Sequence, residues 1–193
     1  RARARRLCRH WRPDVVLCWS YQKRLQDQCR RLGLRTAAVR LDRPEEVVTL
    51  IETLGAVTGR TERAATMTDK LRSELQSLKA RVASVPPERR PRVYIELYRP
   101  YRTVSGNTFT GRLIELAGGR NVAGDSPVRY PILSPEAVIG RRPEVIFLTA
   151  SETDTSRMAA RPGWDALPAV RTGRIHVLSG PALTAGSRFT ETV

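Results

Sequence analysis

The chain has 193 residues, with 34 basic and 19 acidic side chains and a formal net charge of +15 at pH 7. This length is enough for one domain or two small lobes, and a hydrophobic content of 40% indicates a folded protein rather than a disordered one. The absence of an apolar run of about 18 residues excludes a membrane-spanning helix, and no signal peptide is predicted within these residues.

The positive charge comes almost entirely from arginine. All but three of the 34 basic residues are arginine, and they are scattered except in the opening segment RARARRLCRHWR. A nucleic-acid-binding surface normally concentrates its charge on one face or along one helix. Binding of nucleic acid is therefore not expected, and a basic nucleic-acid-binding α/β protein is kept only as an alternative.

The cysteines and histidines do not form a metal-binding pattern. Cys8, Cys18 and Cys29 include no C-x-x-C pair, and His10 and His176 lie far apart in the sequence. No metal site is predicted, and each cysteine is interpreted as a small buried hydrophobic residue.

The first half of the chain begins with a βαβ pattern. Residues 13–20 form a short apolar run that predicts a buried strand, residues 21–33 predict a helix that stops at Gly33, and residues 36–41 predict a second strand. A strand, a helix and a strand within about thirty residues indicate two parallel strands.

Two helices follow in the predicted order. Residues 43–59 predict a helix that begins at Pro44, and residues 61–84 predict a long one with apolar side chains at steps of three or four. A helix of this length spans about 36 Å. It fits either the seam of a coiled-coil dimer or a spine between two lobes.

The second half returns to strands and helices. A strand is predicted over 92–98, and Asn107 is predicted to cap the next helix. The remaining predictions are a helix over 134–140 capped by Ser134, a strand over 143–150, a short helical piece over 163–170 and a strand over 173–180. The predicted architecture is α/β, long helix, α/β.

The adjacent glycines Gly118 and Gly119 raise the question of a phosphate site. A phosphate cradle needs glycines before a helix, where the N–H groups and the positive end of the helix dipole face the anion. These two follow a helical pattern, so they are interpreted as a helix stop. No G-x-S-x-G motif or close carboxylate pair supports catalysis either, so no enzyme is predicted, and an α/β transferase stays an alternative.

Aromatic and arginine residues follow several predicted strands. In α/β sheets, ligands bind beyond the carboxyl ends of the strands, and aromatic walls with guanidinium groups suit a flat ligand that carries negative charge. The predicted ligand-binding residues are Trp19, Tyr21, Tyr98, Arg99, Tyr101, Trp164 and Arg188.

Residues 92–148 resemble a known family. The strand that ends in aromatics, LAGGRNVAGD, YPILSPE and the following P-x-V-I strand are similar to the C-terminal lobe of substrate-binding proteins of metal-chelate ABC importers. This family, the helical-backbone type (class III) of periplasmic binding proteins, takes up iron–siderophore complexes, haem and cobalamin. RPDVVLCWS, IETLGAVTG and the long helix resemble the end of the N-lobe and the connecting helix.

The resemblance implies two α/β lobes with parallel sheets, joined by one long rigid helix, with a metal chelate captured in the cleft between them. The predicted division is a partial N-terminal lobe (1–58), the connecting helix (59–85) and a C-terminal lobe (86–193). The resemblance also implies a bound corrinoid, haem or ferric chelate and no cofactor. The implied partners are an ABC permease and its ATPase, with only peripheral contact with that membrane complex.

The resemblance also implies a docking role and a location. By this resemblance Glu136 corresponds to the C-lobe glutamate that pairs with arginines of the permease, and charge pairs of this kind register a transient complex. The alternative is that this glutamate only complements the positive end of its helix dipole. A periplasmic or extracytoplasmic location is expected. Compared with the family, the first strands of the N-lobe and most of the last helix are expected to be missing. The chain is therefore interpreted as a fragment, a truncated gene or an incomplete sequence, with exposed apolar faces.

Overall fold

Parallel strands that alternate with helices build two separate sheets. The computed structural model describes residues 13–149 and 155–178. The strands are β1 (Val15–Trp19), β2 (Arg35–Val39), β3 (Arg92–Glu96), β4 (Arg120–Asn121), β5 (Val145–Thr149) and β6 (Ile175–Leu178). The helices are α1 (Lys23–Arg31), α2 (Glu45–Val57), α3 (Thr61–Ala83), α4 (Phe109–Leu116), α5 (Pro135–Arg141), α6 (Thr155–Ala159) and α7 (Pro168–Arg171), with a turn of 3₁₀ helix at Pro87–Arg89. All pairings among these strands are parallel, which confirms the predicted α/β class.

The first unit is the βαβ element predicted from the sequence. β1 and β2 pair in parallel from Val15 with Arg35 to Trp19 with Val39. Gly33, at φ +72°, takes the left-handed conformation that ends α1, as predicted. Cys18 and Cys29 are buried, which agrees with their interpretation as hydrophobic residues, and Cys8 lies outside the described residues.

Much of the apolar surface in this first unit is exposed. Val15 and Leu17 of β1 are nearly half exposed, and the side chains of β2 are exposed up to its last residue. Strands of parallel sheets are normally covered on both faces. β1 is present as predicted, but its predicted burial is wrong, because Val15 and Leu17 keep nearly half of their surface exposed. The exposed apolar faces expected from the sequence are found here instead.

The second unit begins at Asp42 and is built on a four-stranded sheet in the order β4–β3–β5–β6. Alternate side chains of β3 and β5 point to opposite faces, so each face of the sheet has its own core cluster. One cluster contains Tyr94, Val122, Val138, Ile146, Leu148, Met158, Trp164, Leu167 and Ala169. The other contains Val93, Ile95, Leu97, Val104 and Ile114.

The long helix α3 is close to its predicted bounds, and its buried stripe is used within the chain. Leu71 and Leu75 are buried on α3, which packs along α2. At Gly55 of α2 the two helices approach closely, because a Cβ atom there would lie 2.3 Å from that of Ala64. This packing against α2 accounts for the apolar periodicity that also suggested a coiled-coil seam.

The division at Leu41 and Asp42 differs from the predicted lobe boundary at residue 58. The physical reason is the packing of α2 on α3, which places α2 in the second unit. The three-part division of the sequence stays a prediction for the whole protein. Among the described residues, no helix combines the length and the apolar composition that a membrane crossing requires.

The glycine pair and the helix before it show one confirmed prediction and one wrong one. Gly118, at φ +83°, has the left-handed conformation of a helix stop, as predicted. The cap of α4 is Thr108 rather than Asn107, because the Thr108 hydroxyl accepts a hydrogen bond from the Gly111 N–H at 3.0 Å. Ser134 caps α5 as predicted, accepting from the Ala137 N–H at 3.1 Å.

Candidate ligand-binding site

The chain leaves β3 through a tight turn, residues 97–102, called here the Tyr98 turn. The Leu97 N–H donates to the Arg102 carbonyl at 2.8 Å and closes the turn. The Tyr98 N–H donates to Thr149 Oγ1 at the end of β5, at a distance of 3.0 Å. These bonds hold the turn over the carboxyl ends of two adjacent strands, where α/β proteins bind ligands.

Two tyrosines of this turn have a backbone conformation that is uncommon outside glycine. Tyr98 has φ +57° and Tyr101 has φ +64°. Tyr98 is 65% exposed. Arg99 is also exposed, whereas Tyr101 is half-buried. The structure therefore places the predicted residues Tyr98 and Arg99 on the surface beyond β3.

A buried charge cluster lies beneath the Tyr98 turn. Glu96, the last residue of β3, is 3% exposed, and its carboxylate accepts two hydrogen bonds from the Arg161 guanidinium, at 2.8 and 2.9 Å. The same carboxylate accepts the Tyr101 N–H at 2.8 Å and the Tyr94 hydroxyl at 3.0 Å. Four hydrogen bonds thus satisfy one buried anion.

The ionisation of this cluster follows from its surroundings. Burial acts to lower the pKa of Arg161, but the hydrogen bonds and charge of Glu96 outweigh it, so the pKa is raised and the guanidinium stays charged. Burial, together with the adjacent Glu96 charge, raises the pKa of Tyr94 far above its ordinary range. The phenol therefore stays protonated and donates to the carboxylate.

Residues 128–133 run antiparallel to the chain after the Tyr98 turn. The N–H groups of Thr103 and Ser105 donate to the carbonyls of Pro131 and Arg129, both at 2.9 Å, and Arg102 bridges to Ile132. Pro131 is buried, whereas its two neighbours are exposed.

The exposed residues of this segment add an aromatic and apolar surface. Tyr130 is 43% exposed and Ile132 is 64% exposed. The Arg102 guanidinium lies over the Tyr130 ring, 5.6 Å from its centre. Together with Tyr98, these residues define what we call the aromatic–arginine surface: Tyr98, Arg102, Tyr130 and Ile132.

The two predicted ligand-binding residues of the first unit contact each other. The rings of Trp19 and Tyr21 are parallel within 6°, with their centres 6.4 Å apart. They follow the carboxyl end of β1, as predicted from the sequence. Tyr21 is exposed and Trp19 is half-buried.

The structure corrects the expected surface position of Trp164. Its side chain is fully buried, with its ring edge-to-face against Tyr94 and Tyr101 at 6.1 and 6.0 Å between ring centres. The Arg161 guanidinium lies 4.8 Å from the centre of the indole. Trp164 therefore supports the cluster from below and does not present a wall for direct ligand contact. Arg188 lies outside the described residues.

Glu136 is exposed in the first turn of α5. Hydrogen bonds from its own backbone N–H and from the Ser134 hydroxyl lower the pKa of its carboxyl. The side chain is therefore an exposed anion at neutral pH, as its predicted docking role requires.

A groove of about 850 Å³ lies elsewhere in the second unit, among α2, α3 and α4. Its lining includes Arg90, which precedes β3, and Leu116, which is the last residue of α4. The groove therefore lies towards the amino ends of the strands. Charges there pair with each other, as in the 2.5 Å contact of Lys79 Nζ with Glu45 Oε1. Ligands in α/β sheets bind at the opposite edge, so the Tyr98 turn is the better candidate.

Four residues of the site were not predicted from the sequence: Tyr130, Ile132, Glu96 and Arg161. The alternation in VRYPIL is a signal that identifies Tyr130, because it places the tyrosine and Ile132 on one side of an extended segment. The pairing of Glu96 with Arg161 has no local signal, since 65 residues separate them.

Within the described ranges, no group of three or more potential ligands among His, Cys, Asp and Glu is arranged to hold a metal ion.

A family model described as periplasmic binding protein matches residues 9–182. The chain belongs to this periplasmic binding protein family. The vitamin B12-binding protein of Yersinia pestis (strain Pestoides F) is 26% identical to it over 152 residues, which cover 77% of this chain and 53% of that protein. The chain thus spans about half the length of the curated relatives it matches.

Solved structures of periplasmic binding proteins share the fold. The periplasmic haem-binding protein BhuT, in complex with two haems, has a TM-score of 0.84 at 23% identity. The match covers 98% of this chain and 75% of the BhuT chain. For the vitamin B12-binding protein BtuF of Vibrio cholerae the TM-score is 0.74 at 25% identity, and the match covers 94% of this chain and 71% of the BtuF chain. For the S. aureus protein IsdE with haem, the TM-score is 0.81 at 19% identity, covering 97% and 76%.

These comparisons confirm the resemblance to metal-chelate binding proteins that the sequence motifs indicated. The relatives are named as binding proteins and not as enzymes, so they support neither a transferase nor a cofactor-dependent reaction.

Proposed function

We propose that the chain belongs to the solute-binding component of an ABC importer that captures a metal chelate, namely a corrinoid, haem or iron–siderophore complex. The observation that carries this proposal is the aromatic–arginine surface beyond the carboxyl ends of β3 and β5. The vitamin B12-binding and haem-binding relatives support a ligand of this class.

The surface suits such a ligand for simple physical reasons. Exposed rings of Tyr98 and Tyr130 offer flat apolar faces for a macrocycle. Arg99 and Arg102 supply guanidinium groups that pair with carboxylates or phosphate. Binding of this kind makes and breaks no covalent bond, so the function is capture and release.

Delivery to a membrane permease and its ATPase is the second part of the proposal. The exposed carboxylate of Glu136 is the proposed contact, because exposed charges steer a transient complex and fix its orientation. A protein with this role works outside the cytoplasm, so we propose a periplasmic or extracytoplasmic location. The stacked rings of Trp19 and Tyr21 remain predicted ligand contacts.

The test is a fluorescence titration of the chain with haemin, cyanocobalamin and a ferric catecholate chelate. We expect at least one of them to quench the aromatic fluorescence saturably. Y130A and R102A should each weaken its binding about tenfold, which corresponds to about 1.4 kcal/mol, because they remove a ring face and a cation.

Two matched variants serve as controls. R112A removes an arginine that pairs with Glu115 on α4, and V57A removes an exposed apolar side chain at the end of α2. Both should bind like the wild type. Failure of all three chelates to quench, or an equal loss in the controls, would contradict the proposal.

A further inference from the structure

The ion pair of Glu96 and Arg161 is buried more deeply than the other salt bridges of the described residues. The side chain of Glu96 is 2% exposed and that of Arg161 is 14% exposed. The pair of Arg141 with Asp125, in contrast, keeps more than a third of each side chain in water. Burying an ion pair carries a desolvation cost and is often no more stabilising than apolar packing. The position of the pair therefore calls for an explanation beyond stability.

The pair is connected directly to the Tyr98 turn. The Glu96 carboxylate accepts the N–H of Tyr101, and the Arg161 guanidinium lies 5.0 Å from the centre of the Tyr101 ring. Trp164 lies against the same guanidinium from within the core, at 4.8 Å. Both the backbone and the side chain of Tyr101 are thus held by the pair.

The turn needs such restraint because its conformation is unfavourable by itself. Positive φ at Tyr98 and Tyr101 is sparsely populated for residues with a side chain, and such residues persist where the surroundings over-determine them. Thr149 restrains Tyr98 through one hydrogen bond, and the Glu96–Arg161 pair restrains Tyr101 through several contacts.

We infer that Glu96 and Arg161 are positioning residues, which hold the Tyr98 turn in the conformation that presents Tyr98 to the solute. Because 2% of the Glu96 side chain and 14% of the Arg161 side chain are exposed, we assign the pair an action through the turn rather than a direct solute contact. This inference rests on the proposed function for its purpose, but the restraint of the turn can be measured without any solute.

The test uses the double variant E96Q/R161M in the full chain. The amide introduced by E96Q keeps an oxygen that can accept the Tyr101 N–H. The thioether introduced by R161M keeps apolar volume beside the Tyr101 and Trp164 rings. Because both charged groups are replaced together, no unpaired buried charge is left. The matched control is D125N/R141M, which removes an exposed ion pair of the same second unit. R161K is a further variant, which keeps the charge but loses the two-pronged geometry.

Amide hydrogen exchange is the first measurement. We expect exchange in residues 97–102 to be at least about tenfold faster in E96Q/R161M than in the wild type, with α3 unchanged, and no such change in the control. If the double variant fails to fold, R161K is measured in its place. We expect R161K to accelerate hydrogen exchange less than the double variant would, and only in residues 97–102. Unchanged exchange in the turn, or acceleration spread evenly over the second unit, overturns the inference.

Titration with haemin and cyanocobalamin is the second measurement. E96Q/R161M should weaken binding of the bound chelate about fivefold, and this loss should disappear when Y98A is already present, because the pair acts through Tyr98. An equal loss in the Y98A background contradicts the positioning role. If the wild type binds neither chelate, the proposed function fails for these solutes, while hydrogen exchange still decides whether the pair holds the turn.

Discussion

At the scale of single residues, Asp125 and Arg141 join α5 to the loop that follows β4. Arg141 donates two hydrogen bonds to the Asp125 carboxylate, at 2.8 and 3.3 Å, and also contacts the Val122 carbonyl. The hydrogen bonds and the charge of Arg141 lower the pKa of Asp125. A carboxyl whose pKa is lower in the folded state stabilises the fold above its unfolded pKa of about 4, and this contribution is lost as the pH falls through the folded pKa.

We therefore predict a pH-dependent effect of D125N. The variant should be less stable than the wild type at neutral pH, and the difference should be smaller at an acid pH below the unfolded pKa of about 4, because the wild-type carboxylate takes up a proton as the pH falls through its lowered folded-state pKa. The effect should be small, because exposed ion pairs contribute little. Urea unfolding at both pH values measures it, with E62Q as a variant of equal charge change. A difference that does not vary with pH contradicts the prediction.

At the scale of elements, the contact of α2 with α3 depends on a glycine. A Cβ atom at Gly55 would lie 2.3 Å from the Ala64 Cβ and 3.2 Å from the Arg60 carbonyl oxygen. Neither neighbour is the end of a flexible side chain, so the helices would have to separate. Gly140 on α5 is the opposite case, since nothing lies within 4 Å of an added Cβ.

We predict opposite effects for the same substitution at these two positions. G55A should destabilise the chain by about 1–3 kcal/mol, because it forces apart two packed helices. G140A should stabilise it by about 0.5–1 kcal/mol, because alanine favours the helix and restricts the unfolded chain. Urea denaturation midpoints give both values. A neutral G55A would show that the helix contact adjusts freely.

At the scale of the whole molecule, the proposed docking of Glu136 concerns the assembly with a permease. Its carboxylate is exposed and charged at neutral pH, and Glu62 in the first turn of α3 is an exposed carboxylate in a similar local setting. Because the chain spans about half of its curated relatives, docking is tested with the chain and a candidate permease–ATPase complex in proteoliposomes.

We predict that E136Q weakens the association with the permease several-fold and reduces its dependence on salt, because one steering charge is removed. E62Q should associate like the wild type. Equal binding by E136Q and the wild type would remove Glu136 from the proposed contact, without affecting the proposed solute surface.

Local signals in the sequence were sufficient for most elements. The apolar runs of β1, β3 and β5, the stop at Gly33 and the cap at Ser134 each depend on neighbouring residues, and the structure confirms them. The cap of α4 differs by one residue, since adjacent polar residues Asn107 and Thr108 offer similar local chemistry. The two-residue β4 was missed because it is too short to show a period.

The sequence by itself determined the α/β class, the parallel strands and the family, because these depend on short-range periodicity and on motifs contiguous in the chain. Only the tertiary structure decided that Trp164 is a core residue, that Tyr130 and Arg102 share a surface, and that Glu96 pairs with Arg161. The physical reason is that burial and charge pairing depend on neighbours brought together by folding. In the case of Glu96 and Arg161, 65 residues of chain separate two groups that lie 2.8 Å apart.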